Sequence, residues 1–279
     1  MKSDFQNGVG IIVRKIVKDL MERVMEKVLR IDPFCASAHH ESKTIYAALV
    51  PDEIFMGAHF ERRFVTSFGG VWEKLAVTVA REVHGNCEQG TNIQGLIPKE
   101  RLDRIQQVLN KLEHGEPGKR RQSPNWESEL SYILEGGGDP IPVSVVCDIF
   151  INSRLMGKKY AFELKGPLPN SDQTKVSKEK MFKLLAMEPK KVDNVYYALP
   201  YNPYGERSNY EWKFPMRWFD MKQDSSVLIG TDFWSLIGGD SAYETIIKEI
   251  NSLGRHYKER IYKEYLGMEP PDEIEGFLK

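Results

Sequence analysis

Cysteine is scarce in this chain: Cys35, Cys87 and Cys147 are the only three in 279 residues, widely spaced and odd in number. That pattern fits neither a disulfide framework nor the paired ligand spacings of a zinc site, so reduced thiols in a cytoplasmic protein are expected. Charge of one sign is lacking as well, since 39 Lys and Arg stand against 40 Asp and Glu. A polyanionic partner could therefore be held only by a local basic face. Long apolar runs are missing too. The stretch GVGIIV from Gly8 to Val13 is followed at once by Arg14, Lys15, Lys18, Asp19, Glu22 and Arg23. This is too much charge for a membrane span, and no small-residue cleavage site suggests a secretory leader. The glycine triplet Gly136 to Gly138 is not followed by the lysine and hydroxyl residue of a phosphate-cradling loop. No repeat, low-complexity tract or linker divides the chain.

What is present reads as alternating helices and strands. Val13, Val17, Leu20, Val24 and Val28 recur every three or four residues between Gly10 and Arg30, which predicts an amphipathic helix. Similar spacing predicts helices over Phe60 to Val83, ending at His84-Gly85-Asn86, and over Leu102 to Leu112. Glu113 to Asn125, with Pro117, Gly118 and the run Lys119-Arg120-Arg121, reads as a polar loop, either a DNA-contacting arm or a solvated connection. Pro142 to Ile151 (PVSVVCDIFI) and Lys159 to Lys165 (KYAFELK) read as adjacent strands across a turn at Gly157. Asn194 to Pro200 and Ser226 to Ile229 are further strands, and Gln173 to Met187 and Ala242 to Leu266 further helices. The order predicts an α/β domain, a mixed sheet flanked by helices, with residues 1–60 as a helical N-terminal extension and 61–279 as the core.

One position in these strands is chemically out of place. Asp148 interrupts a run that is otherwise apolar on both faces, and a lone buried carboxylate is costly unless a cation or strong donor meets it. Fifteen residues on, Glu163 and Lys165 stand two apart at the end of the next strand, so both side chains share one face. Two carboxylates and an ammonium then converge. The carboxylates supply hard oxygen ligands for Mg²⁺, with Mn²⁺ as a substitute. The metal can polarise a phosphate and activate water while the lysine orients that water, giving a 5′-phosphate and a 3′-hydroxyl. An acidic residue, any residue, then lysine occurs five times, at Glu41, Glu163, Glu188, Glu211 and Asp220. Only the Glu163 copy ends an apolar strand preceded by an embedded aspartate. A cross-strand ion pair at a sheet edge is the structural alternative for Glu163 and Lys165.

Asp148 followed by Glu163-Leu164-Lys165 resembles the PD-(D/E)xK nuclease superfamily, with Cys147 where that pattern has proline. The resemblance implies a restriction-endonuclease-like fold, metal binding by Asp148, Glu163 and the Leu164 carbonyl, and an assisting glutamate on an earlier helix. Glu73 in GGVWEKLAVTVA matches that last position. The segments GPLPNSDQTKVSKEKMFKLLAM and GTDFWSLIGGDSAYETI are similar to the TdeIII family of type II restriction endonucleases. That likeness implies cleavage of double-stranded DNA at a short palindrome, GGNCC, by a homodimer working beside a cognate methyltransferase. Read from the residues, Asn170 or Ser171 caps a helix whose Gln173, Lys175 and Lys178 are expected to contact phosphates or base edges, unless they form a solvated lysine face. Phe233 and Trp234 are expected in the core, and His39 and His40 have no role. Two rival functions are a structure-directed or repair nuclease of the same fold and a non-catalytic DNA-binding protein.

Overall fold

The computed structural model describes residues 2–114 and 121–271, the side chains of 2–7 excepted. The chain divides into two compact units, one formed by residues 1–75 with 244–279 and the other by residues 76–243. The expected polar loop lies partly outside the described residues, Pro117, Gly118, Lys119 and Arg120 among them.

The first unit is helical. Helix α1 (Lys2–Glu26) runs on through a wider π-turn at Lys27–Ile31. Its Val13, Leu20, Val24 and Val28 are buried, as the three-to-four spacing requires. Short helices α2 (Ala36–Ser42) and α3 (Thr44–Leu49) lead to α4 (Asp52–Phe68). The single helix expected over Phe60 to Val83 is two: α4 stops at Phe68 and α5 (Val71–His84) begins beyond Gly69-Gly70. Each glycine in a helix interior costs about 1 kcal/mol relative to alanine, and two in succession make a break the better solution. The other long helix of this unit, α10 (Ala242–Arg260), meets α1 through charge: Arg14 donates to both Glu249 carboxylate oxygens at 2.8 and 2.9 Å, and Arg260 to Glu22 at 2.8 Å.

The second unit is built on one five-stranded mixed sheet in the order β1-β2-β3-β4-β5. Strand β1 (Gly85–Pro98) pairs antiparallel with β2 (Pro140–Ser153), and β2 with β3 (Lys158–Leu164). Strand β3 then runs parallel to β4 (Asn194–Leu199), and β4 to β5 (Val227–Ile229). A parallel neighbour demands a crossover, which α8 (Ser171–Ala186) supplies between β3 and β4. Strand β3 is buried from Tyr160 to Leu164, as a central strand covered on both faces must be. Helices α6 (Lys99–His114) and α7 (Trp126–Leu134) join α8 over a core where Trp126 stacks on Phe182 at 4.7 Å and Tyr197 on Phe219 at 4.8 Å. Phe233 and Trp234, on α9 (Thr231–Gly238), are fully buried.

Strand β1 and helix α7 are among the elements that local pattern does not announce, as are the short helices α2, α3 and α9. Strand β1, GNCEQGTNIQGLIP, has three glycines and little β-branched content, and it is extended because β2 supplies a ladder along it, Gly90 excepted. Helix α7 is only nine residues long, and Asn125 caps it by accepting the Ser128 N–H at 2.9 Å.

All three cysteines are free, and no helix among the described residues is long and apolar enough to cross a membrane. Burial pushes the Cys87 and Cys147 thiols up to about 12, the Glu163 and Asp148 charges adding to the effect at Cys147. Exposed Cys35 is instead lowered, by the Ser37 hydroxyl and the Ala38 N–H. Since only the thiolate is alkylated, iodoacetamide at about pH 8 is expected to label Cys35 alone. Mass spectrometry of the native protein checks this; early labelling of Cys87 or Cys147 would contradict the packing around them.

Candidate active site

The β2–β3 ladder ends at the Ile149–Phe162 rung, so the next position along sets Asp148 beside Glu163. On its other side Asp148 faces Gly90, which the β1–β2 pairing passes over between Gln89–Ile149 and Thr91–Cys147. Gly90 takes φ of 64°, a left-handed conformation that glycine adopts without steric cost. Asp148 is thus the point where the regular ladder lapses on both sides. Its side chain substitutes for backbone pairing on the β3 side, Oδ2 accepting the Leu164 N–H at 2.8 Å.

Lys165 follows directly on the end of β3, fixed by its own N–H to the Ala198 carbonyl at 3.0 Å. Its ammonium donates to Asp148 Oδ2 at 2.6 Å and to Glu163 Oε2 at 3.3 Å. The three residues singled out in the sequence therefore converge. Of the five acidic-x-lysine copies, this alone lies at the end of a strand; the nearest rival, Glu211-Trp212-Lys213, is in irregular chain.

Glu163 is only 1% exposed, and two further groups hold it that the sequence did not announce. Ser177 Oγ donates to Oε2 at 3.1 Å, and Lys180 Nζ to Oε1 at 2.7 Å, both from α8. Burial raises the Glu163 pKa and the Asp148 charge adds to this, against the lowering pull of Lys165 and Lys180. Burial works to lower that of Lys165, but the Glu163 and Asp148 carboxylates prevail and raise it. Two carboxylates and two ammonium groups balance in the cluster.

Could these residues hold a metal? The donor set is oxygen only, and Asp148 Oδ1 accepts no hydrogen bond among the described residues. A pair of carboxylates with room for water suits a hard divalent cation, which does not need an all-protein cage. No group of three or more His, Cys, Asp or Glu able to hold a metal occurs among the described residues. The residues fit a site completed by water and substrate oxygens. Glu73 stands in the first turn of α5, half-buried, within the unit that contains residues 1–75.

The α8 expectations need correction at one residue. Asn170 does cap the helix, its side chain accepting the Gln173 N–H at 2.8 Å, and Gln173 is exposed. Lys175 is half-buried and pairs with Glu113 at 2.5 Å. Lys178, expected to reach DNA, is fully buried: it pairs with Glu129 at 2.6 Å, donates to the Trp218 carbonyl and lies over the Phe219 ring at 4.8 Å. The reason is helical phase. Thr174, Ser177, Lys178 and Met181 share the inward face, and lysine composition alone does not say which way the helix turns. The hydroxyls of Thr174 and Ser177 in phase with Met181 were the sequence hint to that face.

A family profile described as "Type II restriction endonuclease, HinfI" matches residues 12–254. Three proteins from Herpetosiphon aurantiacus are similar. Type II restriction enzyme HgiEI is 25% identical over 245 residues, 84% of this chain and 85% of that protein. Type II restriction enzyme HgiBI is 25% identical over 232 residues, 80% and 81% of the two chains. Type II restriction enzyme HgiCII is 24% identical over 280 residues, 93% of this chain and 100% of that protein. The match takes in every strand of the sheet and all of Asp148, Glu163 and Lys165, so this chain belongs to the HinfI family of type II restriction endonucleases, site-specific deoxyribonucleases.

Proposed function

We propose that the chain hydrolyses double-stranded DNA at a short palindrome in a Mg²⁺-dependent reaction centred on Asp148, Glu163 and Lys165. The observation that carries this reading is the bridging of two strand-borne carboxylates by the Lys165 ammonium, at 2.6 and 3.3 Å, where β2 and β3 cease to pair. A sheet-edge ion pair accounts poorly for Glu163, which is almost wholly buried in a central strand beside a second carboxylate.

Asp148, Glu163 and the Leu164 carbonyl would hold the cation. When bound, it polarises the scissile phosphate, lowers the pKa of a water and stabilises the leaving oxygen, giving 5′-phosphate ends. Asp148 is oriented for this by the Leu164 N–H. Lys165 positions the attacking water. Ser177 and Lys180 keep Glu163 in one place. Gln173 and Lys175 contact DNA from α8. Two-fold related copies match a palindrome and bring one site to each strand, so the working form is a homodimer. The likeness to the TdeIII family supports GGNCC as the sequence cut, with a cognate methyltransferase protecting host DNA.

Digestion of a DNA of known sequence with Mg²⁺, followed by mapping of fragment ends, tests activity and specificity together. Discrete fragments ending at GGNCC are expected. A smear or junction-specific cutting would point to a repair-type nuclease of the same fold, and binding without cleavage in Mg²⁺ or Mn²⁺ to a non-catalytic DNA-binding protein.

A further inference from the structure

Lys178 is buried, and the lysines near it are paired. Lys165, Lys175, Lys178, Lys180 and Lys183 are all matched to carboxylates within 4 Å. A polyanion approaching the end of β3 gains less from these matched charges, Lys175 included, than it would from free ones. Unmatched positive charge lies elsewhere, in a hollow of about 390 Å³ lined by Arg121, Ser171, Lys213, Phe214, Met216 and Arg217. Its three cations are exposed, and none has an ion-pair partner among the described residues. No carboxylate lines it. Arg217 is among the charges that lower the Glu113 pKa. Phe214 is 52% exposed, an apolar surface set among the cations.

The hollow is tied to the catalytic strand by hydrogen bonds along its frame. The link from Gly166 to Asn170 directly follows Lys165. Tyr210 donates its hydroxyl to the Pro167 carbonyl at 2.9 Å, Trp212 its indole N–H to Pro169 at 2.8 Å, and Trp218 its indole N–H to Ser171 Oγ at 3.0 Å. Aromatic anchors before and after residues 213–217 thereby fix Lys213 and Arg217 relative to the end of β3. Fixed, exposed and unpaired cations around a concavity with an apolar wall suit phosphates bearing sugars.

We propose that Arg121, Lys213 and Arg217 form a seat for the sugar-phosphate backbone of double-stranded DNA beside the scissile bond, with Phe214 packing on the deoxyribose. This rests on the nuclease reading above and adds to it the surface that supplies sequence-independent affinity. Backbone contacts of this kind position the duplex without reading it.

The test is the salt dependence of binding to labelled duplexes, with and without GGNCC, measured in Ca²⁺ for the wild type and the triple variant Arg121→Gln, Lys213→Gln, Arg217→Gln. Each phosphate neutralised contributes about 0.9 to the log–log slope, so the variant's slope is expected to be shallower by about 2.7. Between about 50 and 200 mM salt the wild type then loses about 40-fold more affinity than the variant does. The loss should be equal for both duplexes. An unchanged slope, or weakening confined to the GGNCC duplex, would overturn the backbone seat. Should the triple variant lose its circular dichroism spectrum, the single substitutions replace it, each expected to flatten the slope by about 1. A wild type that cuts DNA while the slopes stay equal sinks this proposal alone, whereas a wild type that neither binds nor cuts DNA sinks the nuclease reading with it.

Discussion

Asp148→Asn is expected to abolish DNA cleavage, lowering the single-turnover rate by at least about 10³-fold while duplex binding in Ca²⁺ persists. Asparagine preserves the shape of the side chain and an oxygen able to accept the Leu164 N–H, so the end of β3 keeps its support. What disappears is one of two negative charges in the cluster and, on the mechanism proposed above, a hard ligand for the cation. Lys165→Ala is expected to lose at least about 10². It removes the only group among the described residues that touches both carboxylates, leaving Asp148 and Glu163 adjacent with Lys180 on Glu163 alone. The two variants should differ in metal dependence: raising Mn²⁺ should recover part of the lysine variant and little of the aspartate variant. Cleavage at the wild-type rate by either protein, with fold confirmed, would remove the catalytic assignment.

The second large effect concerns stability. Lys178→Ala is expected to destabilise the protein by about 3–5 kcal/mol, because it leaves Glu129 buried without its counter-charge. Burial already pushes the Glu129 pKa up and the Lys178 pKa down, so each is tolerated chiefly because the other is there. For a chain this large, the loss corresponds to a thermal midpoint lower by roughly 6–20 °C. Lys178→Met combined with Glu129→Leu removes both charges and retains bulk beside Trp126, Phe182 and Phe219. Replacing a buried pair with apolar residues is often neutral, so the double variant should regain most of the lost stability. Calorimetry on the three proteins decides the matter. A double variant no more stable than Lys178→Ala would mean that packing against the rings, rather than charge, sets the cost.

Lys178 lies in the core although its sequence surroundings are those of a DNA-facing lysine. Lys175, Lys178, Lys180 and Lys183 look alike in sequence, yet one is buried with Glu129, one holds Glu163 and two pair on half-buried surface. Helical period fixes their angular spacing and not the direction in which the helix faces. Asp148 was legible for the opposite reason. A strand has only two faces, and a carboxylate in a run apolar on both must be met by something. Strand β1 was illegible because its partner, rather than its own side chains, holds it extended.

By itself the sequence determined the order of most helices and strands, the pairing of β2 with β3, and the trio Asp148, Glu163 and Lys165. These follow from local period and from the cost of burying charge, which act over a few residues. Tertiary structure alone decided that Gly90 relaxes the ladder opposite Asp148, that Ser177 and Lys180 seat Glu163, and that unpaired cations gather in the hollow of Arg121, Lys213 and Arg217. Each brings together residues far apart in the chain, and a single sequence encodes no such distance until β3, α8 and the 210–218 segment pack on one another.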